Sequence, residues 1–298
     1  MSRRPLFLAV LVGCGLTWGS TQSLGKIAVS TGYQPFGLLF WQFVLGVVLM
    51  GLAMAFRRTP PVLTRRTLVF ALVVALLGSV LPGITFWTSV ERLPAGVMSL
   101  LISTVPLLAF PIALMLGQDR LSALRALGLL CGLGGVALIA LPEASLPDPG
   151  QAAFLPFAML GPLLYAMETN YVQRVGMAGM DPFQAMALVS GIGALLVLPF
   201  AVATGQWIDP VRPWGAPEWA LLASSAIHVL TYAAYVWLAA HAGSTFASQS
   251  SYIVTASGLV WATALLGESF SPYVWAALVL LLAGLALVSP RDSASARS

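Results

Sequence analysis

A chain of 298 residues that is 59% hydrophobic and 8% charged has more apolar surface than it can bury, since soluble domains carry about 25% charged residues. With mean hydropathy at +0.91, that surface must face lipid, which excludes a soluble globular fold. The net charge of +4 does not build a nucleic-acid-binding face, because the basic residues lie in short loops between apolar runs.

A spanning helix needs about 20 apolar residues. Cutting the chain at its polar and Pro/Gly clusters predicts ten, Leu6–Val29, Pro35–Phe56, Thr67–Val90, Ala95–Leu116, Ala123–Leu141, Ala153–Val175, Pro182–Thr204, Ala216–Leu238, Gly243–Leu266 and Pro272–Ser289. The first run is longer than a signal-peptide core and no small-residue cleavage site follows it, so it reads as a retained helix. None of the runs alternates as a barrel strand does, and each is about twice the length of one. The expected fold class is an all-α membrane protein.

Counting bases by side gives the orientation. With the N-terminus inside, Arg3, Arg4, Arg57, Arg58, Arg65, Arg66, Arg120, Arg125, Arg174, Arg291 and Arg297 are inner, and only Arg92, Arg212 and Lys26 are outer. Both termini are then cytoplasmic. The connection Pro142–Gln151 carries Glu143 and Asp148 and no base, which suits an outer loop, and Trp207, Trp214 and Trp219 flank another.

The chain also repeats itself. Trp87, Leu116, Gly117, Ala126, Leu130 and Gly134 recur as Trp237, Leu266, Gly267, Ala276, Leu280 and Gly284, and Pro35-Phe36 and Gly46 recur as Pro182-Phe183 and Gly193. Five helices per half is an odd number, so the second half enters the membrane the other way up. The division is residues 1–141 for the first repeat, 142–152 for an outer linker, 153–289 for the second, inverted repeat and 290–298 for a cytoplasmic tail. Inverted repeats point to a transporter with its site between the halves near the middle of the membrane.

Several short motifs carry a family resemblance. Trp18-Gly19-Ser20 followed by Lys26 resembles the opening helix of the drug/metabolite transporter superfamily. Gly267-Glu268-Ser269-Phe270-Ser271 with Gly284 resembles that family's second-half signature, and Gly117-Gln118-Asp119-Arg120-Leu121-Ser122 with Gly128 and Gly134 its first-half version, with Gln118 where an acid is often found. The resemblance is nearest to bacterial exporters of aromatic and other amino acids. It implies ten helices in two inverted five-helix repeats around a central cavity, a place in a bacterial inner membrane, and amino acid substrates exported by alternating access.

Polar side chains deep in apolar helices face protein or water, because lipid cannot satisfy them. Trp18 and Gln22 share a stripe of the first helix, and Gln22 either bonds substrate or ties helices together. Tyr165 and Glu168 lie one turn apart on the sixth, and Glu168 is the one carboxylate deep in a predicted span. It attracts a substrate ammonium, carries a coupling proton, or makes a structural bond. His228, Tyr232 and Tyr235 form a stripe with Thr231 on the eighth helix, suited to a ring-bearing substrate or to packing. Ser99 and Ser103 on the fourth and Gln249 and Tyr252 on the ninth mark helices that border an aqueous cavity, although about half of such hydroxyls return to their own backbone. Pro82, Pro106, Pro162 and Pro199 kink their helices.

Cys14 and Cys131 sit in apolar runs as small hydrophobes, not as a disulfide or a thiolate metal site. No HExxH, GxSxG or Walker-type loop occurs, so the expectation is a transporter and not an enzyme, with no cofactor and no metal. The expected partners are small-molecule substrates and membrane lipid, with no nucleic acid. The fifth and tenth helices supply scaffold and, where a homodimer forms, its surface. Proton-coupled export of drugs or other small metabolites is the alternative, although its small relatives would place a carboxylate in the first helix, where this chain has none.

Overall fold

The computed structural model describes residues 4–141, 145–242 and 244–288. The expected cytoplasmic tail, residues 142–144 of the linker and Gly243 lie outside the described residues. Every regular element among the described residues is helical. We number the long helices α1 (Arg4–Ala28), α2 (Pro35–Arg57), α3 (Arg65–Arg92), α4 (Ala95–Met115), α5 (Ala123–Ala140), α6 (Leu155–Val175), α7 (Pro182–Ala203), α8 (Ala216–Ala242), α9 (Ser250–Leu266) and α10 (Pro272–Val288). A 3₁₀ turn, Pro149–Phe154, leads into α6, and one turn, Ser244–Ser248, precedes α9. Helices α1 to α8 are long and apolar enough to cross a membrane, and α10 is a shorter apolar helix.

The helix starts follow from local chemistry. Proline opens α2, α7 and α10, where its missing N–H costs nothing. Capping boxes made by Thr64 with Thr67 and by Asp181 with Gln184 start α3 and α7. Gly267, at φ +67°, takes the left-handed conformation that stops α9.

Two helices are interrupted where the sequence withholds backbone donors. Within α3, residues Leu76–Val80 form a π turn, and the Leu81 N–H reaches back five residues to the Leu76 carbonyl. Pro82 follows at once and offers no N–H. In α4 the helix breaks between Ile102 and Val105. There Pro106 removes a donor, and Ser103 and Thr104 turn their hydroxyls onto Leu100 and Leu101 carbonyls at 2.7 and 2.6 Å. The expected span Ala95–Leu116 is thus divided beside the Pro106 expected to kink it, and the expected span Gly243–Leu266 is divided before Ser250.

Small residues set the packing. A Cβ added to Gly128 of α5 would lie 2.9 Å from the Gly284 carbonyl of α10, so these two backbones are already in contact. α2 packs along α7 in the same close way, with Gly46 against Ser190 and Gly193 against Phe43. α1 lies between α8 and α9, with Gly15 on Ile253 and Gly19 on Ser257 and Gly258. α6 lies between α3 and α4, with Gly161 on Thr85 and the Asn170 amide donating to the Ala109 carbonyl at 3.0 Å. The largest buried apolar cluster runs through the α2–α4–α7 region and on to α10.

Candidate substrate site

The π turn of α3 is where Glu168 of α6 comes to rest. A Cβ on Gly78, in the middle of that turn, would lie 2.8 Å from Glu168 Cγ and 3.1 Å from its carboxyl carbon. The acid is therefore pressed against bare backbone near the middle of α3. Tyr165 lies one turn before it on the same helix. Among the described residues, none hydrogen-bonds its carboxylate. π turns cost helix regularity and tend to occur at functional positions.

A second set of candidates meets where α1 packs on α8. The ring of Trp18 stands 5.5 Å from Tyr235 and 6.1 Å from His228, tilted by 50° and 52°. Thr17 and Thr231 share a 2.8 Å hydroxyl bond that locks the two helices in register. Trp18 Nε1 and Gln22 Oε1, one turn apart, are buried and have no hydrogen-bond partner among the described residues. Leaving such a group unsatisfied costs about 1–3 kcal/mol. Trp18, His228 and Tyr235 thus group together, while Tyr165 and Glu168 share a face of α6. Tyr232 shares the face of α8 with His228 and Tyr235.

Of the candidates on α4 and α9, Ser99 lies nearest α1, where Gly258 meets Gly19. Ser99 is fully buried against Gly258 where α4 crosses α9, and its hydroxyl donates to the Ala95 carbonyl at 3.2 Å. Ser103 likewise bonds its own helix. Gln249 is exposed at the N-cap of α9, and Tyr252 lies on that helix's first turn. Sequence reasoning flagged Pro82 but missed Gly78. It counted Ser257 among the polar residues of the ninth helix and missed Trp261; these two donate to the Gly15 and Leu16 carbonyls at 3.1 and 2.9 Å and fix α9 to α1.

The two ends of this region differ. At the Lys26 end everything is fastened. Lys26 Nζ donates to the Glu91 and Leu93 carbonyls at 2.9 and 3.0 Å. The Glu268 carboxylate accepts from Ala95 and Gly96 N–H at 2.7 and 3.1 Å, holding the N-terminus of α4. Phe270 covers Gly96, and Ser271 donates to the Ser145 carbonyl at 2.9 Å.

At the opposite end, α3 and α6 part to leave a groove of about 410 Å³ lined by Arg65, Arg66, Val69, Phe70, Tyr171 and Val175. Its floor is the stacked pair Phe70 and Tyr171, with ring centroids 6.1 Å apart. Phe70 and Gly78 lie on one stripe of α3, about 12 Å apart along the axis, and Tyr171 is one turn from Glu168. The groove and Glu168 therefore lie along one α3–α6 seam, with the Phe70–Tyr171 pair between them.

No group of three or more His, Cys, Asp or Glu side chains that could hold a metal stands among the described residues. No curated protein matches the chain. Among solved structures, 27 chains match. One of them, titled only as the crystal structure of a protein, is 18% identical over 97% of this chain and 98% of its own, with a TM-score of 0.62. At that identity the likeness bears on the fold alone. The EamA-like transporter family, by contrast, matches residues 5–141 and then residues 153–289. With long apolar helices across the same stretches, the chain belongs to the EamA-like transporter family of multi-pass membrane proteins that move small solutes.

Proposed function

We propose that this protein exports amino acids, aromatic and other neutral ones, across a bacterial inner membrane by alternating access. It does so as ten spanning helices in two inverted five-helix repeats, residues 1–141 and 153–289, with both termini cytoplasmic. The pairing of helices supports the repeat. α1 packs on α8 and α9, as α6 packs on α3 and α4, and α2–α7 and α5–α10 each join a helix to its own counterpart. The placement of Arg57, Arg58, Arg65, Arg66 and Arg174 at the groove end supports that end as cytoplasmic. The fastened Lys26 end is then the closed outer face. The outward faces of α5 and α10 are left to lipid or to a second copy.

The observation that carries the reading is the Glu168 carboxyl in the α3–α6 seam, without a hydrogen-bond partner among the described residues, together with the Trp18, His228 and Tyr235 ring cluster and the orphaned Gln22 oxygen where α1 meets α8. Such a lining offers apolar surface with a few polar anchors, as a zwitterion bearing a ring requires. Counterflow of radiolabelled amino acids into proteoliposomes tests it. Phenylalanine is expected to exchange saturably, and Trp18→Ala to lower that exchange about tenfold, the loss of one ring-stacking contact and its area. Absence of exchange for every amino acid tried refutes it, and preferential movement of lipophilic cations transfers the protein to drug export.

A further inference from the structure

The π turn does more than make room for Glu168. In an α-helix each carbonyl accepts from the N–H four residues on. The Leu81 N–H is taken by Leu76, five residues back, and the residue after it is Pro82, which has no N–H. The carbonyl of Leu77 is therefore passed over, and no side chain among the described residues donates to it. That carbonyl belongs to the peptide entering Gly78, the residue against which Glu168 lies. Covalent geometry keeps its oxygen within about 7 Å of the Glu168 carboxyl carbon, and within reach of a small group seated between the two. Because Gly78 has no side chain, nothing on that residue screens the oxygen from the acid.

We propose that the Glu168 carboxylate and the Leu77 carbonyl together form a binding site for a primary ammonium group, so that a free amine is what the protein recognises in its substrates. This rests on the reading of the chain as a transporter of amine-bearing metabolites and names the group that the site selects. A primary ammonium has three N–H donors and a charge. It bridges two oxygens about 4–5 Å apart with bonds of ordinary length. The acid supplies the counter-charge that makes burial of the cation affordable, and the carbonyl supplies a fixed acceptor that needs no reorganisation. A quaternary ammonium has no N–H to give the carbonyl, and a carboxylate without an amine is repelled by Glu168.

The test measures equilibrium binding of radiolabelled phenethylamine to detergent-purified protein, which does not depend on transport. Wild type is expected to bind it and to be displaced by phenylalanine. 3-Phenylpropionate and the N-trimethylated amine should compete at least tenfold less well. Glu168→Gln, which keeps the shape and loses the charge, should weaken binding about a hundredfold. Pro82→Ala returns an N–H to the ladder and should weaken it about tenfold while the protein elutes as a monodisperse peak. Should Pro82→Ala not fold, Gly78→Ala, which displaces Glu168 from the turn, serves in its place with the same expectation. If 3-phenylpropionate or the trimethylated amine competes as well as the primary amine, the site is wrong. If Glu168→Gln abolishes binding while Pro82→Ala and Gly78→Ala leave it intact, the acid acts without Leu77 and the two-oxygen site is overturned. Amine binding without amino acid counterflow would uphold the site and sink the export reading, so the two fail separately.

Discussion

Tyr33, in the turn between α1 and α2, donates its hydroxyl to the Glu218 carboxylate at the start of α8. That bond holds the phenol above its ordinary value of 10.0; burial and the charge of Glu218 act in the same direction, and Arg212 opposes them. A raised value means that the folded protein favours the protonated phenol. The contribution is thus complete below about pH 10 and is lost as the pH rises through the folded value. Tyr33→Phe is expected to lower stability by about 1 kcal/mol or less at neutral pH, given the partial exposure, and the gap to wild type should close in strong alkali. Melting curves across alkaline pH check this, and a gap that persists unchanged there excludes the phenol as its source. Elsewhere single residues act by being small. Gly284→Val would drive a branched side chain into the Gly128 backbone and part α5 from α10. A loss of about 2–3 kcal/mol is expected, read as a lowered melting temperature, whereas the same change at Gly13, which has open space around it, should cost far less. Gly284 was legible in the sequence because it recurs at the repeat spacing. Gly78 was not, because its importance comes from a residue ninety positions away.

The helices show the same division between what is local and what is not. Starts were readable, because Pro35, Pro182, Pro272 and the Asp181 cap act on their own turns. Pro82 and Pro106 marked where α3 and α4 depart from regularity, but not that one would form a π turn and the other a break. A proline fixes which donor is lost, and the neighbouring helices decide whether the chain bends, breaks or overwinds in response. Glu268 shows a sequence motif gaining its mechanism. Its two carboxylate oxygens take the first N–H groups of α4, where the helix dipole favours negative charge. Its counterpart at the repeat spacing, Gln118, has neither amide atom partnered among the described residues. Glu268→Gln keeps one acceptor and loses the charge. It is expected to lower stability by about 1–2 kcal/mol, while Gln118→Ala should change it much less. Thermal melts of the two variants in one detergent compare them directly.

At the scale of the whole molecule, that difference between Glu268 and Gln118 matches a difference in packing. Near the Lys26 end α1 also touches α3 and α4, beyond its main contacts with α8 and α9. In the proposed inverted arrangement, the same contacts made by α6 would fall on α8 and α9 at the groove end, and among the described residues they are at most marginal. In the proposed alternating-access cycle, exchanging one set for the other would turn a chain shut at the Lys26 end into one shut at the groove end. The two states need not be equally populated, because one end is held by a carboxylate and the other has only a neutral amide to offer. Ser89 reports on the exchange, since it is fully buried in α3 just inside the Lys26 end with its hydroxyl unpartnered. In a background with Cys14 and Cys131 replaced, Ser89→Cys is expected to resist a membrane-impermeant maleimide. Adding Glu268→Gln should raise its labelling rate about tenfold, which corresponds to about 1.4 kcal/mol of shift toward the state open at that end. Adding Gln118→Glu instead, which gives the groove end its own carboxylate, should raise it as well. If Glu268→Gln speeds labelling and Gln118→Glu does not, the two ends are not counterparts, and the inverted exchange is the part of the mechanism that has to be abandoned.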